Sequence, residues 1–134
     1  MNISQRKILL AHSNKRERGQ LAIMLSKFGH CVSFCDEMLK PDFEDDKFDL
    51  IIVDDFFSKD SGFIFLEHLS KEKRSKTIFI SSSEEDQRKR FRAEMELFEV
   101  IEKPLTSINL AVIVCDFFIS SNVDKDYLVT LASN

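Results

Sequence analysis

The segment Asp49-Leu50-Ile51-Ile52-Val53-Asp54 decides the fold of this chain. Consecutive large apolar residues between two aspartates predict a strand that is buried on both faces, as in a parallel sheet. Asp54 would then stand at the carboxyl end of the strand, where open parallel sheets place their functional groups. A Lys103-Pro104 pair follows a later apolar segment. A positive charge is therefore expected at the same edge of the sheet.

Short apolar segments alternate with amphipathic segments along the chain, which is the pattern of repeated β-α units. We predict five parallel strands, at 7–11, 31–35, 48–53, 77–81 and 98–101. Helices are predicted from Asn14 or Lys15 to Gly29, after Gly62, over 85–95 and over 107–119. Pro41 interrupts 36–46 and permits at most a short helix there. The first helix carries apolar residues at helical spacing, namely Leu21, Met24, Leu25 and Phe28. The helix after Gly62 is predicted to bury Phe63, Phe65 or Leu66, and Leu69.

Length and charge exclude several classes of protein. The chain has 134 residues without a repeat or a linker, which suits a single domain at 1–120 followed by a tail at 121–134. The net charge is -4 with both signs interspersed, so a direct nucleic-acid partner is not expected. The longest apolar run, 110–115, is too short to cross a bilayer, and no signal-peptide pattern opens the chain. We expect a soluble, cytoplasmic protein without a membrane partner.

In order and spacing, these motifs resemble the receiver domain of bacterial response regulators. The resemblance covers about residues 7–119 and implies the CheY-like, flavodoxin-like fold: an α/β domain with a doubly wound, five-stranded parallel sheet of strand order 2-1-3-4-5. It places the phospho-accepting aspartate at Asp54 and the hydroxyl that ends the fourth strand at Ser81. The lysine that precedes a proline after the fifth strand is then Lys103. Gly62, eight residues after Asp54, matches the same motif.

The resemblance also implies a chemistry. The aspartate attacks phosphorus and forms an acyl phosphate, Mg²⁺ neutralises the phosphoryl oxygens, and the lysine adds a further positive charge. The hydroxyl then swings to a phosphoryl oxygen and reports the modification. Asp54, Lys103 and Ser81 can fill the three protein roles, and Ser82, a small residue after Ser81, leaves space for a phosphoryl group.

The chain departs from the family at the acidic pair that ends the first strand and holds the metal. His12 and Ser13 occupy those positions, so only Asp54 and the backbone carbonyl of Phe56 would remain as ligands. The formal charges of Asp54 and Lys103 cancel, which predicts a direct ion pair and at most weak Mg²⁺ binding; no cofactor is expected. We interpret His12 as a hydrogen-bonded polar residue that fills the vacated space, although it could also serve a softer metal.

Other residues near the predicted site argue against ordinary signalling. Asp55 is expected to face the loop surface, because adjacent side chains of an extended chain point apart. The ring of Phe56 is expected to obstruct the mouth of the pocket, and Lys59 is interpreted as a solvated loop residue. Val100 stands where the family couples the hydroxyl to an aromatic residue of the last strand. A valine cannot make that rotamer switch.

The last predicted helix is apolar on every face, unlike an ordinary amphipathic helix. If Leu110, Val114 and Phe117 face the sheet, then the side chains that face outward include Val112, Ile113 and Ile119. Such an outward apolar patch indicates an interface, so we predict a protein partner or a homodimer contact through this helix. The alternative is that the tail, with Tyr127, Leu128, Val129 and Leu131, folds back over it.

Two functions remain open from the sequence. The first is an atypical receiver domain that acts as a protein-interaction module in two-component signalling, with Mg²⁺-dependent phosphorylation weakened or lost. The alternative is a working switch or phosphorelay intermediate that a histidine kinase phosphorylates on Asp54. The expected partners are a histidine kinase or a signalling target. We expect no enzyme, because a hydrolase using Asp54 would need a general acid or a phosphate loop that the sequence does not offer.

Overall fold

The computed structural model describes residues 6–35, 48–57 and 62–120. The short helix considered within 36–46, the loop residue Lys59 and the tail at 121–134 lie outside these described residues. The domain boundary at residue 120 therefore stays a prediction.

The strands form one parallel sheet within the described residues. They are β1 (Lys7–Ala11), β2 (Cys31–Cys35), β3 (Leu50–Asp54), β4 (Thr77–Ser81) and β5 (Glu99–Glu102), in the order β2-β1-β3-β4-β5. All residues of β3 and β4 are buried, as expected for strands covered on both faces. This confirms the predicted fold class and strand order.

The helices are α1 (Lys15–Lys27), α2 (Gly62–Glu67), α3 (Lys71–Arg74), α4 (Glu85–Met95) and α5 (Ser107–Ser120). Asn14 caps α1, because its side chain accepts a hydrogen bond from the N–H of Glu17 at 3.0 Å. Gly29 follows the end of α1 with φ at +88°, a conformation that glycine adopts without strain. The predicted start of α1 is confirmed.

Helices cover both faces of the sheet, and the apolar side chains form two clusters. On one face, residues of β1, β3 and β4 pack with Leu21 and Leu25 of α1 and with the inner side of α5. On the other face, the alternate residues of the same strands pack with Phe65 and Leu66 of α2 and with Leu97. The alternation of side chains along each strand produces this two-sided core.

Several boundaries differ from the sequence prediction. β3 begins at Leu50, where it starts to pair with β1 at Ile8, and it includes Asp54. β5 lies one residue later than predicted, and the one-turn helix α3 was not predicted. Ser70 caps α3 by accepting a hydrogen bond from the N–H of Lys73 at 3.3 Å. Short local elements of this kind depend on caps and turns, which an apolar pattern does not record.

The faces of α5 were predicted correctly with one exception. Leu110, Val114 and Phe117 are buried, as expected. Val112 and Ile119 are 61% and 43% exposed, but Ile113 is partly buried against the core, so its outward assignment was wrong. At 100° per residue, Ile113 lies beside Phe117 on the helix, and the buried arc is wide enough to include both. Among the described helices, none is long and apolar enough to span a membrane.

Candidate functional site

The carboxyl ends of β1, β3, β4 and β5 bring the predicted site residues to one edge of the sheet. A cavity of about 430 Å³ opens there, and the residues that line it include His12, Glu17, Asp54 and Lys103. Asp54 is the last residue of β3 and Lys103 directly follows β5. The order of the strands therefore places an acid and a base from distant parts of the chain side by side.

Asp54 is a buried carboxylate, 2% exposed, with an ion-pair partner at Oδ1 and a hydrogen-bond donor at Oδ2. The ammonium nitrogen Nζ of Lys103 lies 2.8 Å from Oδ1, and the N–H of Phe56 donates a hydrogen bond to Oδ2 at 2.9 Å. The predicted direct ion pair between Asp54 and Lys103 is confirmed. Burial makes this pairing necessary, because an isolated carboxylate would be expensive to desolvate.

Asp55 also belongs to the site, which corrects the sequence prediction. Its Oδ1 lies 2.5 Å from Nζ of Lys103, and its Oδ2 accepts hydrogen bonds from the N–H and the hydroxyl of Ser82 at 2.7 and 2.9 Å. The expectation that Asp55 faces the loop surface was wrong because β3 ends at Asp54. The chain turns at Asp55, so the alternation of an extended strand no longer sets the direction of the side chain.

This contact changes the charge of the site. Two carboxylates share one ammonium, so Asp54, Asp55 and Lys103 carry a formal net charge of -1 instead of the neutral sum expected from one ion pair. Burial raises the pKa of Asp55, but hydrogen bonds from Lys103 and Ser82 and the lysine's charge outweigh it and hold that pKa below its usual value. Burial lowers the pKa of Lys103, and the two carboxylates more than reverse this effect.

His12 directly follows β1 and is buried at the carboxyl edge of the sheet. The N–H of Asn14 donates to Nδ1 at 3.2 Å, so the proton of a neutral ring resides on Nε2. Nε2 lies 3.2 Å from Oε2 of Glu17 and 3.6 Å from Oδ1 of Asp54. His12 is therefore a hydrogen-bonded buried residue, as predicted, and its Nε2–H is directed toward the carboxylates of Glu17 and Asp54.

The donor set does not fit Mg²⁺. Mg²⁺ requires oxygen ligands in near-octahedral geometry, and His12 offers an imidazole nitrogen instead of an oxygen. The carbonyl oxygen of Phe56 accepts a hydrogen bond from the exposed hydroxyl of Ser13 at 3.2 Å. Among the described residues, no group of three or more His, Cys, Asp or Glu side chains is arranged to hold a metal ion.

Phe56 and Ser81 complete the surroundings of Lys103. The exposed ring of Phe56 lies over the ammonium, 4.3 Å from its centroid to Nζ, in cation–π contact. Ser81 is buried and its hydroxyl donates to Oγ of Ser83 at 2.9 Å, while the N–H of Ser83 donates back to it at 3.1 Å. Val100, partly buried, packs against the core face that contains Phe79. The signalling roles of Asp54, Ser81 and Lys103 stay predictions.

Gly62 allows α2 to pack closely against the end of β3. A Cβ at this position would lie 2.1 Å from the carbonyl oxygen of Asp54, so no other residue fits without a backbone shift. The N–H of Gly62 also donates to the carbonyl oxygen of Asp55 at 2.8 Å. The glycine that the sequence motif singled out therefore holds the turn that carries both aspartates.

Glu17 was missed from the sequence, and the binding of Asp55 to Ser82 and Lys103 was not predicted. A signal for Asp55 was present, since a second acid directly follows the end of a strand, where a turn is expected. Glu17 follows the cap residue Asn14 by three positions, and at this spacing an acidic side chain reaches back toward the start of the helix. Nothing in the sequence indicated that Ser82 would bind Asp55.

The geometry defines a doubly wound α/β domain with a lysine and carboxylates at the carboxyl edge of its sheet, and known structures share this fold. No protein-family model matches the sequence, and no curated protein is significantly similar to it. A two-component response regulator from Clostridium difficile has a TM-score of 0.72 over 88% of this chain and 99% of its own, with 20% identity. The non-phosphorylated HemR receiver domain from Leptospira biflexa has a TM-score of 0.74 over 90% and 98%, with 19% identity.

A third solved structure, the chemotaxis response regulator CheY4 of Vibrio cholerae, has a TM-score of 0.73 over 85% of this chain and 99% of its own, with 15% identity. The chain therefore has the CheY-like fold of response-regulator receiver domains. The resemblance that the sequence indicated is confirmed at the level of the fold. At these identities, the likeness does not extend to the roles of single residues.

Proposed function

We propose that this protein is an atypical receiver domain that acts as a protein-interaction module in two-component signalling, with Mg²⁺-dependent phosphorylation weakened or lost. One observation carries the proposal: Lys103 is held between Asp54 and Asp55 at 2.8 and 2.5 Å. The cation that would assist phosphoryl transfer is already paired. The histidine at position 12 adds no ligand suited to Mg²⁺.

The proposed role is binding without enzymatic turnover. Its partners would be a histidine kinase or a signalling target, in the cytoplasm, with no direct nucleic-acid contact. The mixed surface charge and net charge of -4 support this choice over a nucleic-acid partner.

The alternative is a working acceptor that a histidine kinase phosphorylates on Asp54. Its support is that Asp54 lines a cavity of about 430 Å³ beside Lys103, while Ser81 ends the neighbouring strand. The pairing of Lys103 with Asp54 alone is compatible with both functions, and it is the second contact of Lys103, with Asp55, that favours the first. The difference between them lies in whether a phosphoryl group can be accommodated without a well-bound divalent cation.

Intact-mass spectrometry distinguishes the two functions. The natural chain and Asp54→Ala are incubated with a small acyl-phosphate donor, with and without Mg²⁺. We expect no Mg²⁺-dependent gain of a phosphoryl group on the natural chain, because the pocket lacks the acidic pair and its lysine is shared by two carboxylates.

A Mg²⁺-dependent gain that Asp54→Ala abolishes would overturn the proposal in favour of the switch. Glu102→Gln is the matched control for removal of one carboxylate from the same edge of the sheet, since Glu102 ends β5 and pairs with Arg88 at 3.6 Å. It is expected to behave as the natural chain does. Repeating the incubation with a phosphorylated histidine kinase tests the kinase-delivered route.

The interaction surface that we propose is the apolar groove between α1 and α5, and we propose a second copy of this chain as its occupant. The groove has a volume of about 480 Å³, and the side chains that line it include Phe28, Ile108, Val112 and Ile119. Among the residues of α5, Asp116 is the one that carries a charge. A surface with almost no charge to match to a different partner is suited to symmetric pairing with itself.

Val112→Glu is expected to weaken dimerisation by about tenfold or more, because it would bury a carboxylate in an apolar contact. Sedimentation equilibrium of the natural and variant chains measures the effect. Gln87→Glu, on the exposed side of α4, is the matched control and should leave the dimer unchanged. A natural chain that stays monomeric at high concentration would refute the homodimer, and deletion of 121–134 would then test the tail as the occupant.

A further inference from the structure

The carboxylate of Asp55 is bound by three hydrogen-bond donors beside the acceptor position. These are the ammonium of Lys103 at 2.5 Å from Oδ1, and the N–H and hydroxyl of Ser82 at 2.7 and 2.9 Å from Oδ2. The donors come from two strand ends, β4 and β5, that the fold brings together. Such convergence of donors on one carboxylate is typical of an anion-binding site.

The same three donors are those that a phosphoryl group would need. A cation, a backbone N–H and a hydroxyl are the groups that bind phosphoryl oxygens in proteins. Lys103 contacts both carboxylates, so an oxyanion attached to Asp54 would compete directly with Asp55 for this ammonium. In the structure, the N–H and the hydroxyl of Ser82 already donate hydrogen bonds to Asp55.

We infer that Asp55 is a built-in substitute for a phosphoryl group: its carboxylate fills the oxyanion site formed by Lys103 and Ser82, and a tetrahedral phosphate enters only when Asp55 leaves. This inference rests on the proposed function, because it explains how a receiver domain is held in one state without modification. Its bonds to Ser82 also fix the connection between β4 and α4. The connection between β4 and α4 would therefore keep one arrangement without modification.

The charge balance agrees with this substitution. Asp55 supplies one negative charge to the donors, where a phosphoryl group would supply nearly two. The hydroxyl of Ser81 remains bonded to Ser83 and not to either carboxylate. Asp55 thus accepts hydrogen bonds from Lys103 and Ser82, while the hydroxyl of Ser81 donates to Ser83.

Removal of the carboxylate tests the inference with inorganic phosphate as the probe. The natural chain, Asp55→Ala and Asp55→Asn are titrated with phosphate, and the backbone amide of Ser82 is followed by NMR. We expect the Ser82 resonance of Asp55→Ala to respond at phosphate concentrations about tenfold lower than in the natural chain, the factor associated with one competing charge-assisted hydrogen bond. Asp55→Asn, which keeps the shape without the charge, should be intermediate.

Glu102→Gln removes a carboxylate from the residue next to Lys103 in sequence and should titrate as the natural chain does. A Ser82 response in Asp55→Ala equal to that of the natural chain would overturn the inference. If Asp55→Ala unfolds, Asp55→Asn decides in its place: a response no stronger than that of the natural chain would also overturn it.

A covalent readout separates this inference from the proposed function. With the acyl-phosphate donor, an Asp54 oxygen forms a bond to phosphorus, the bond between phosphorus and the donor's acyl oxygen breaks, and the carboxylate leaves with the electron pair. The natural chain is expected to gain no detectable phosphoryl group, and Asp55→Ala is expected to gain a measurable one under the same conditions, because the competing carboxylate is gone. Efficient modification of the natural chain would refute the proposed function, while equal modification of both chains would refute the role of Asp55.

Discussion

Replacement of Lys103 by methionine is expected to lower the free energy of unfolding by about 3 kcal/mol at neutral pH. The side chain of methionine keeps the length and packing but leaves Asp54 and Asp55 without their shared cation. Asp54 is buried, and loss of one partner of a buried pair costs about 3–5 kcal/mol. We expect the lower end of that range, because the lysine is partly exposed. Urea unfolding measures the loss.

Lys89→Met provides the matched control for loss of a lysine charge. Lys89 pairs with Glu85 at 3.3 Å on the exposed face of α4, and both side chains are largely exposed. Such surface pairs contribute about 0.5 kcal/mol or less. If Lys103→Met lost no more stability than Lys89→Met, the arrangement of two carboxylates around one cation would be contradicted.

The decrease in the free energy of unfolding caused by Lys103→Met should also depend on pH. Burial raises the pKa of Asp55, but hydrogen bonds from Lys103 and Ser82 and the charge of Lys103 hold it below its usual value of 3.8. This carboxylate therefore contributes stability above about pH 4 and loses it as the pH falls through the lowered pKa. The variant lacks the part of that contribution that comes from Lys103. The stabilities of the two proteins are therefore expected to converge in acid, and a difference that stayed constant below pH 4 would argue against an electrostatic origin.

Gly62→Ala is expected to destabilise the fold by about 3 kcal/mol, the upper part of the usual range for overpacking. The added Cβ would lie 2.1 Å from the carbonyl oxygen of Asp54, which is backbone and cannot rotate away. The turn through Asp55 or the start of α2 would have to move. Urea unfolding of the variant measures the cost, and NMR shifts at Asp54 and Asp55 should report the displacement.

Gly19→Ala is the matched control for this substitution. Gly19 lies inside α1, and an added Cβ there would meet nothing within 4 Å. Alanine in a helix interior is more stable than glycine by about 0.5–1 kcal/mol, so this variant should be stabilised. A cost below about 1 kcal/mol for Gly62→Ala would contradict the close approach between α2 and β3.

The candidate site was predictable where strand ends determine it. Asp54 and Lys103 lie at the carboxyl ends of apolar segments, and parallel strands bring such ends together, so their ion pair followed from the sequence. The position of Asp55 did not follow, because the rule of alternating side chains applies only within an extended strand. At the turn after Asp54, direction is set by the donors that are available, here Lys103 and Ser82.

The strand order was implied by the resemblance to receiver domains. The sequence by itself determined the bounds of β1, β2, β4 and α4, the start of α1, and the presence of His12 and Ser13 directly after β1. These features depend on local apolar period, caps and the identity of a residue at a strand end. Only the tertiary structure decided that one lysine bridges two carboxylates and that Asp55 binds the loop after β4. Those contacts join residues far apart in sequence, and their energy depends on distances and burial that arise only when the sheet is assembled.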